Sequence, residues 1–201
     1  MFRSFFDPES FAWKPFGVIA DLIVLSLLWL VCSLPVFTLG AATTALYDAT
    51  VHSLRFKERE MISRFFRTFK AEFKLASLAL LLLGSIWIGC FLALRWFIDN
   101  AAPSDAAFVA AVAGLFLLLL PTGPLCWVFP LLSRFDFGFK TLCVTALKLS
   151  MGNLPATLLM AVSLAGSVWL SVLFTVPALV LPALLMLFWS LFTERVFRRY
   201  M

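Results

Sequence analysis

Residues 16–34 read FGVIADLIVLSLLWLVCSL, an apolar run interrupted by a single charge, Asp21. A helix that crosses the hydrocarbon core of a bilayer needs about 20 predominantly apolar residues, so this stretch reads as a membrane span. It is too long for the apolar core of a signal peptide and is read as retained. Pro35 ends it, because proline lacks the N–H donor and clashes with the preceding turn. A weaker segment follows at 38–54, TLGAATTALYDATVHSL. Further spans are predicted at 75–97, 106–132, 155–175 and 178–193, the last two forming a hairpin around Pro177. In the fourth, Pro121, Gly123 and Pro124 suggest a kinked or broken helix; a break could free backbone groups to line a site, and a plain proline kink is the commoner outcome.

Composition agrees with a lipid environment. The chain has 201 residues, 63% of them hydrophobic and 13% charged. Soluble domains carry about 45–50% apolar and about 25% charged residues, and a fold this small has too much surface to hide the excess. The net charge of +5 fits basic loops on the cytoplasmic side of a membrane rather than nucleic-acid binding. Arg55, Lys57, Arg59, Arg64, Arg67, Lys70 and Lys74 crowd one linker, and Arg134, Lys140 and Lys148 another. Arg195, Arg198 and Arg199 close the chain, and Arg3 and Lys14 open it. The segment 99–105 has no Lys or Arg. The expected fold is therefore all-α and polytopic, with about six membrane segments in one domain (1–201) and both termini cytoplasmic.

Two linkers carry helical periodicity of their own. Over 59–74, Ile62, Phe65, Phe66, Phe69 and Phe73 share one face and Arg64, Arg67, Lys70 and Lys74 the other. This predicts an amphipathic helix lying on the inner leaflet or docking a partner protein. Over 133–150, Phe135, Phe139, Leu142, Ala146 and Leu149 share a face, but Phe137, Val144 and Leu147 spoil the polar side, which predicts packing against protein as well. The two linkers also resemble each other. SRFFRTFK at 63–70 and SRFDFGFK at 133–140 agree at five of eight positions, which raises an internal repeat of the kind seen in transporters.

Few residues suit chemistry. An ionisable residue within a span is a functional candidate by default, which singles out Asp21 and Asp48, with His52 one turn beyond Asp48. Together they form a candidate cation or proton site. Pairing of these carboxylates with Arg55, Arg64 or Arg67 is the simpler reading. His52 is the only histidine, and Cys32, Cys90, Cys126 and Cys143 form no C-x-x-C pair, so no metal site and no cofactor is expected. Nucleophile-elbow, P-loop, HExxH and dinucleotide motifs are absent, which argues against an enzyme. Ser163, Ser167 and Ser171, four apart, read as a close-packing stripe.

The stretch 20–50, ADLIVLSLLWLVCSLPVFTLGAATTALYDAT, resembles the N-terminal signature of the YesL-like bacterial membrane proteins, a family of unknown function. Its most specific residues are Asp21, Trp29, Pro35, Gly40, Thr43 and Tyr47. FFRTFKAEFKLA at 65–76 and FPLLSRFDFGFKTLCVTALKLSMGNLP at 129–155 resemble further blocks of the same family. The resemblance implies a bacterial plasma-membrane protein that accompanies ABC sugar importers, and it supplies no catalytic residues. It implies an accessory subunit of an ABC sugar importer, and the basic face with Arg64, Arg67, Lys70 and Lys74 is the candidate surface for docking on the permease or on the lipid bilayer. The alternative is a small stand-alone transporter or channel, as a single chain or a homo-oligomer, built on Asp21, Asp48 and the proline-rich segment.

Overall fold

The computed structural model of the chain describes residues 14–55, 60–100, 105–173 and 179–198. Arg3, Lys57, Arg59, Pro177, Arg199 and the segment 101–104 lie outside the described residues. What is described is all-helical. Helix α1 spans Lys14–Cys32, α2 Leu39–Thr50, α3 Met61–Asn100, α4 Asp105–Leu132, α5 Phe139–Gly152, α6 Leu154–Leu173 and α7 Leu181–Phe197. A 3₁₀ turn at Val36–Thr38 leads into α2, and a wide π-type turn at Val51–Arg55 leaves it.

Against the six crossings read from the sequence, two described helices, α3 and α6, are long and apolar enough to cross a membrane. Only 17% of the apolar window of each is buried, where the core helix of a soluble protein would be enclosed. Gly17–Cys32 and Leu118–Leu132 are apolar but shorter. Large apolar side chains stand exposed along α1, α3 and α6, among them Val31, Leu81, Leu92, Val162 and Trp169. An apolar surface of this extent suits lipid.

The second segment is not a lipid-facing span. α2 has 12 residues, about 18 Å at 1.5 Å per residue, short of a hydrocarbon core about 30 Å thick. Every residue from Gly40 to Thr50 is buried, because α1, α3, α4 and α7 pack around it. Its small residues explain both its weak hydropathy and its central place, since Gly, Ala and Thr let neighbouring backbones approach. A Cβ on Gly40 would lie 2.5 Å from the Ala76 carbonyl oxygen of α3. Gly40→Ala is therefore expected to destabilise the chain by about 1–3 kcal/mol through overpacking. Gly89→Ala, whose added methyl meets nothing, should leave the unfolding midpoint in detergent unchanged or raise it. Equal midpoints for the two variants would refute the close α2–α3 crossing.

The amphipathic stretch at 59–74 is not a separate helix lying on a leaflet. It is the first half of α3, whose 40 residues extend about 60 Å. Part of its Phe stripe faces protein, while Ile62 and Phe66 stand exposed. Phe65 is completely buried, and Phe69 and Phe73 pack against the core. The three rings follow one another at 6.3 and 5.7 Å. Periodicity marks an apolar face but not what covers it, and α2 covers this one.

α4 corrects a second expectation. It runs unbroken through Pro121, Pro124 and Pro130. Proline is tolerated in apolar helices when neighbouring groups meet the freed backbone. The carbonyls these prolines free are those of residues 117, 120 and 126; nearby, the Thr122 hydroxyl donates to the Leu118 carbonyl at 2.6 Å and Ser133 to that of Pro130 at 2.8 Å. Pro121, Gly123 and Pro124 are buried inside the continuous helix. A Cβ on Gly123 would come within 3.0 Å of Ser150 and 3.1 Å of Thr157, so the segment serves the close approach of α5 and α6.

Four tryptophans bolt the helices together. Trp29 donates its indole N–H to Thr43 (3.2 Å), Trp87 to Thr122 (3.1 Å), Trp127 to Thr157 (2.9 Å) and Trp189 to Ser163 (3.0 Å). These bonds join α1 to α2, α3 to α4, α4 to α6, and α6 to α7. Where lipid supplies no hydrophobic drive between helices, such polar contacts and close packing hold a bundle together.

Candidate functional site

At one end of the bundle the last turn of α2 meets the start of α3, the end of α4 and the end of α7. The residues there form a buried polar chain. Asp48, only 4% exposed, accepts from Arg64 Nε at 2.9 Å and from the Thr68 hydroxyl at 2.7 Å. The π-type turn after α2 brings His52 Nδ1 to 3.0 Å from the Asp48 carbonyl oxygen and 3.1 Å from its carboxylate. Inserted turns of this kind often mark functional positions in helices.

On the far side of the imidazole, His52 Nε2 lies 3.4 Å from Arg134 Nη1. A guanidinium can only donate, so Nε2 is the acceptor and the ring proton sits on Nδ1, facing Asp48. Arg134 in turn grips Glu194 of α7, with Nε at 2.9 Å and Nη2 at 2.8 Å. The Tyr47 hydroxyl reaches Glu194 at 3.3 Å and Thr193 at 2.5 Å. Two ion pairs, Asp48–Arg64 and Arg134–Glu194, are thus joined through His52 and flanked by Tyr47.

The structure brings Asp48, His52 and Arg64 together, with Arg64 as the partner of Asp48 rather than a free docking residue. Asp21 is half-buried on α1 and makes no bond to this chain of residues. Arg67, Lys70 and Lys74 are exposed on α3. Glu72, on the same half of α3, has its carboxyl pushed up from the usual range, first by burial and then by the Asp136 carboxylate. Reasoning from sequence missed Tyr47, Thr68, Thr193 and Glu194 and used Arg134 only as a topology marker.

One available signal was the likeness of the two SRF segments. In both, the arginine enters this polar chain, Arg64 on one side of His52 and Arg134 on the other. The likeness is not a structural repeat. Ser63 and Arg64 lie inside a continuous helix, whereas Ser133 and Arg134 form a turn after α4 that leads into extended chain. Phe135, in that extended stretch, packs edge-on against Phe197 at 5.5 Å.

Chemically the arrangement is well suited to holding four helices in register. Each carboxylate already faces an arginine and a hydroxyl. Among the described residues no group of three or more His, Cys, Asp or Glu is placed to hold a metal ion.

Residues 22–94 match a family described as protein of unknown function, DUF624, which includes the YesL-like proteins. The matched region runs from α1 through most of α3. It contains Asp48, His52, Arg64 and Thr68 but neither Arg134 nor Glu194. No curated protein and no solved structure matches the chain.

Proposed function

We propose, on the premise that residues 22–94 are a DUF624 segment, that this chain is a non-catalytic integral membrane protein of the bacterial plasma membrane. Its role in this reading is that of an accessory subunit of a carbohydrate ABC uptake system. It docks on the permease through the basic face of α3. The observation that carries the reading is the division of labour along that helix. Phe65, Phe69 and Phe73 of its first half pack on the core, and Arg64 is engaged by Asp48. Arg67, Lys70 and Lys74 remain exposed on a helix longer than a bilayer is thick. A rigid arm that presents Arg67, Lys70 and Lys74 beside the exposed apolar Ile62 and Phe66 fits an anionic partner surface with apolar patches. The carbohydrate assignment rests on the company kept by YesL-like proteins.

The charges support a cytoplasmic orientation for this end. The ends of α4 and α7 and the start of α3, which carry the basic residues, meet around His52, and the positive-inside rule places such an end in the cytoplasm. The stand-alone transporter reading is weaker, because Asp48 and Glu194 are both engaged by arginine and so are poorly placed to take up a passing cation.

The test is purification of the tagged full chain from its native host in mild detergent. A stoichiometric ABC permease is expected to co-elute. The triple variant Arg67→Glu, Lys70→Glu, Lys74→Glu should still insert and fold yet lose the permease. A wild-type chain that elutes alone, or as copies of itself, ends the accessory reading.

A further inference from the structure

α1 and α6 both pack on α7, and between them opens a cavity of about 420 Å³, away from the charged end of the bundle. We propose that this cavity is a binding site for one acyl chain of a membrane phospholipid. The inference is independent of the accessory-subunit reading.

The mouth decides which phase the cavity sees. Val168 and Val172 of α6 and Leu30 of α1 line it, and all three stand on the lipid-facing surface, with Val172 80% and Val168 57% exposed. The floor is protein interior, where Cys126, Met186 and Trp189 are almost wholly buried. A molecule entering here comes from the hydrocarbon phase.

The polar atoms of the wall are already engaged. Thr43 donates to the Leu39 carbonyl and accepts the Trp29 indole. Ser167 donates to the Leu164 carbonyl and Ser171 to that of Ser167. The Trp189 indole N–H is taken by Ser163. Water in a cavity needs about 2–4 polar partners, and this wall presents no free donor to hold it. No charged side chain lines the cavity, so nothing grips a headgroup. An empty space of this size forfeits the dispersion contacts of every atom around it. Its volume falls within the range of about 300–1,000 Å³ typical of ligand pockets. A flexible hydrocarbon chain from the surrounding bilayer meets all these conditions.

The experiment reconstitutes the full chain in phosphatidylcholine vesicles, re-extracts it into mild detergent and counts retained phosphatidylcholine by native mass spectrometry. Wild type should retain one phospholipid per chain. Ser167→Phe, which fills the cavity, should lower the retained fraction about tenfold, the ratio set by a modest loss of binding free energy. Leu159→Phe, on the exposed face of α6 outside the cavity, should not lower it. Val172→Trp, which blocks the mouth without entering the core, is the second variant should Ser167→Phe fail to fold, and the same loss is expected. Wild type without bound phospholipid, or filled and blocked variants that retain as much as wild type, would overturn the proposal.

Discussion

Asp48→Ala is expected to destabilise the folded chain by about 3–5 kcal/mol, the usual cost of removing one member of a buried ion pair. Asp48 is 4% exposed and its partner Arg64 23% by side chain. The carboxylate is therefore dry, while the guanidinium keeps some water, which places the effect toward the lower end of that range. The substitution also strips an acceptor from the Thr68 hydroxyl and from His52 Nδ1. Unfolding in detergent, followed by circular dichroism, measures the loss. Combining Asp48→Ala with Arg64→Ala should cost less than the sum of the two, because the second change removes the stranded charge. A loss within about 0.5 kcal/mol, typical of a surface substitution, would show that the pair does not hold α2 to α3.

Glu194→Ala is expected to cost a similar amount at the other end of the chain of contacts, about 3 kcal/mol or more. This pair is more evenly buried, with side-chain exposures of 13% for Arg134 and 10% for Glu194. Removing the carboxylate takes the Nε hydrogen bond and the close Nη2 ion-pair contact from Arg134 and one contact from the buried Tyr47 hydroxyl. Glu194→Gln, which keeps an acceptor but not the charge, should fall between wild type and alanine. Because His52 bridges the two ion pairs, Asp48→Ala and Glu194→Ala should couple by about 0.5–3 kcal/mol, as members of one network do. Strict additivity in a double-mutant cycle would mean that the 3.4 Å contact between His52 and Arg134 transmits nothing.

Much of the fold class was legible in local pattern. A helical chain rich in exposed apolar surface follows from runs such as 16–34 and 75–97, since a single stretch of that length and apolarity has few other uses. The buried face of α5, Leu142, Ala146 and Leu149, was readable from its spacing. Asp48 was visible as a charge out of place, and Arg64 was already one of its candidate partners, because both lie in neighbouring segments.

The rest had no local signature. α2 was read as a weak span because Gly, Ala and Thr are only mildly apolar. Their small size, which makes them the centre of the bundle, counts for nothing in a hydropathy reading. The stretch 59–74 has the same periodicity whether lipid or protein covers its Phe face, so its fusion with the following span into one 40-residue helix was not written in its pattern. The prolines of α4 are helix breakers in isolation, yet the helix runs through all three of them. Glu194 joins Arg134 across 60 positions and Tyr47 across 147, distances over which sequence periodicity carries no information. By itself, then, the sequence determined that these helices form and that much of their surface suits lipid, because both depend on the composition of contiguous residues. Only the tertiary structure decided which helix is enclosed, which arginine meets which carboxylate, and which cations stay exposed, because those depend on which helices become neighbours.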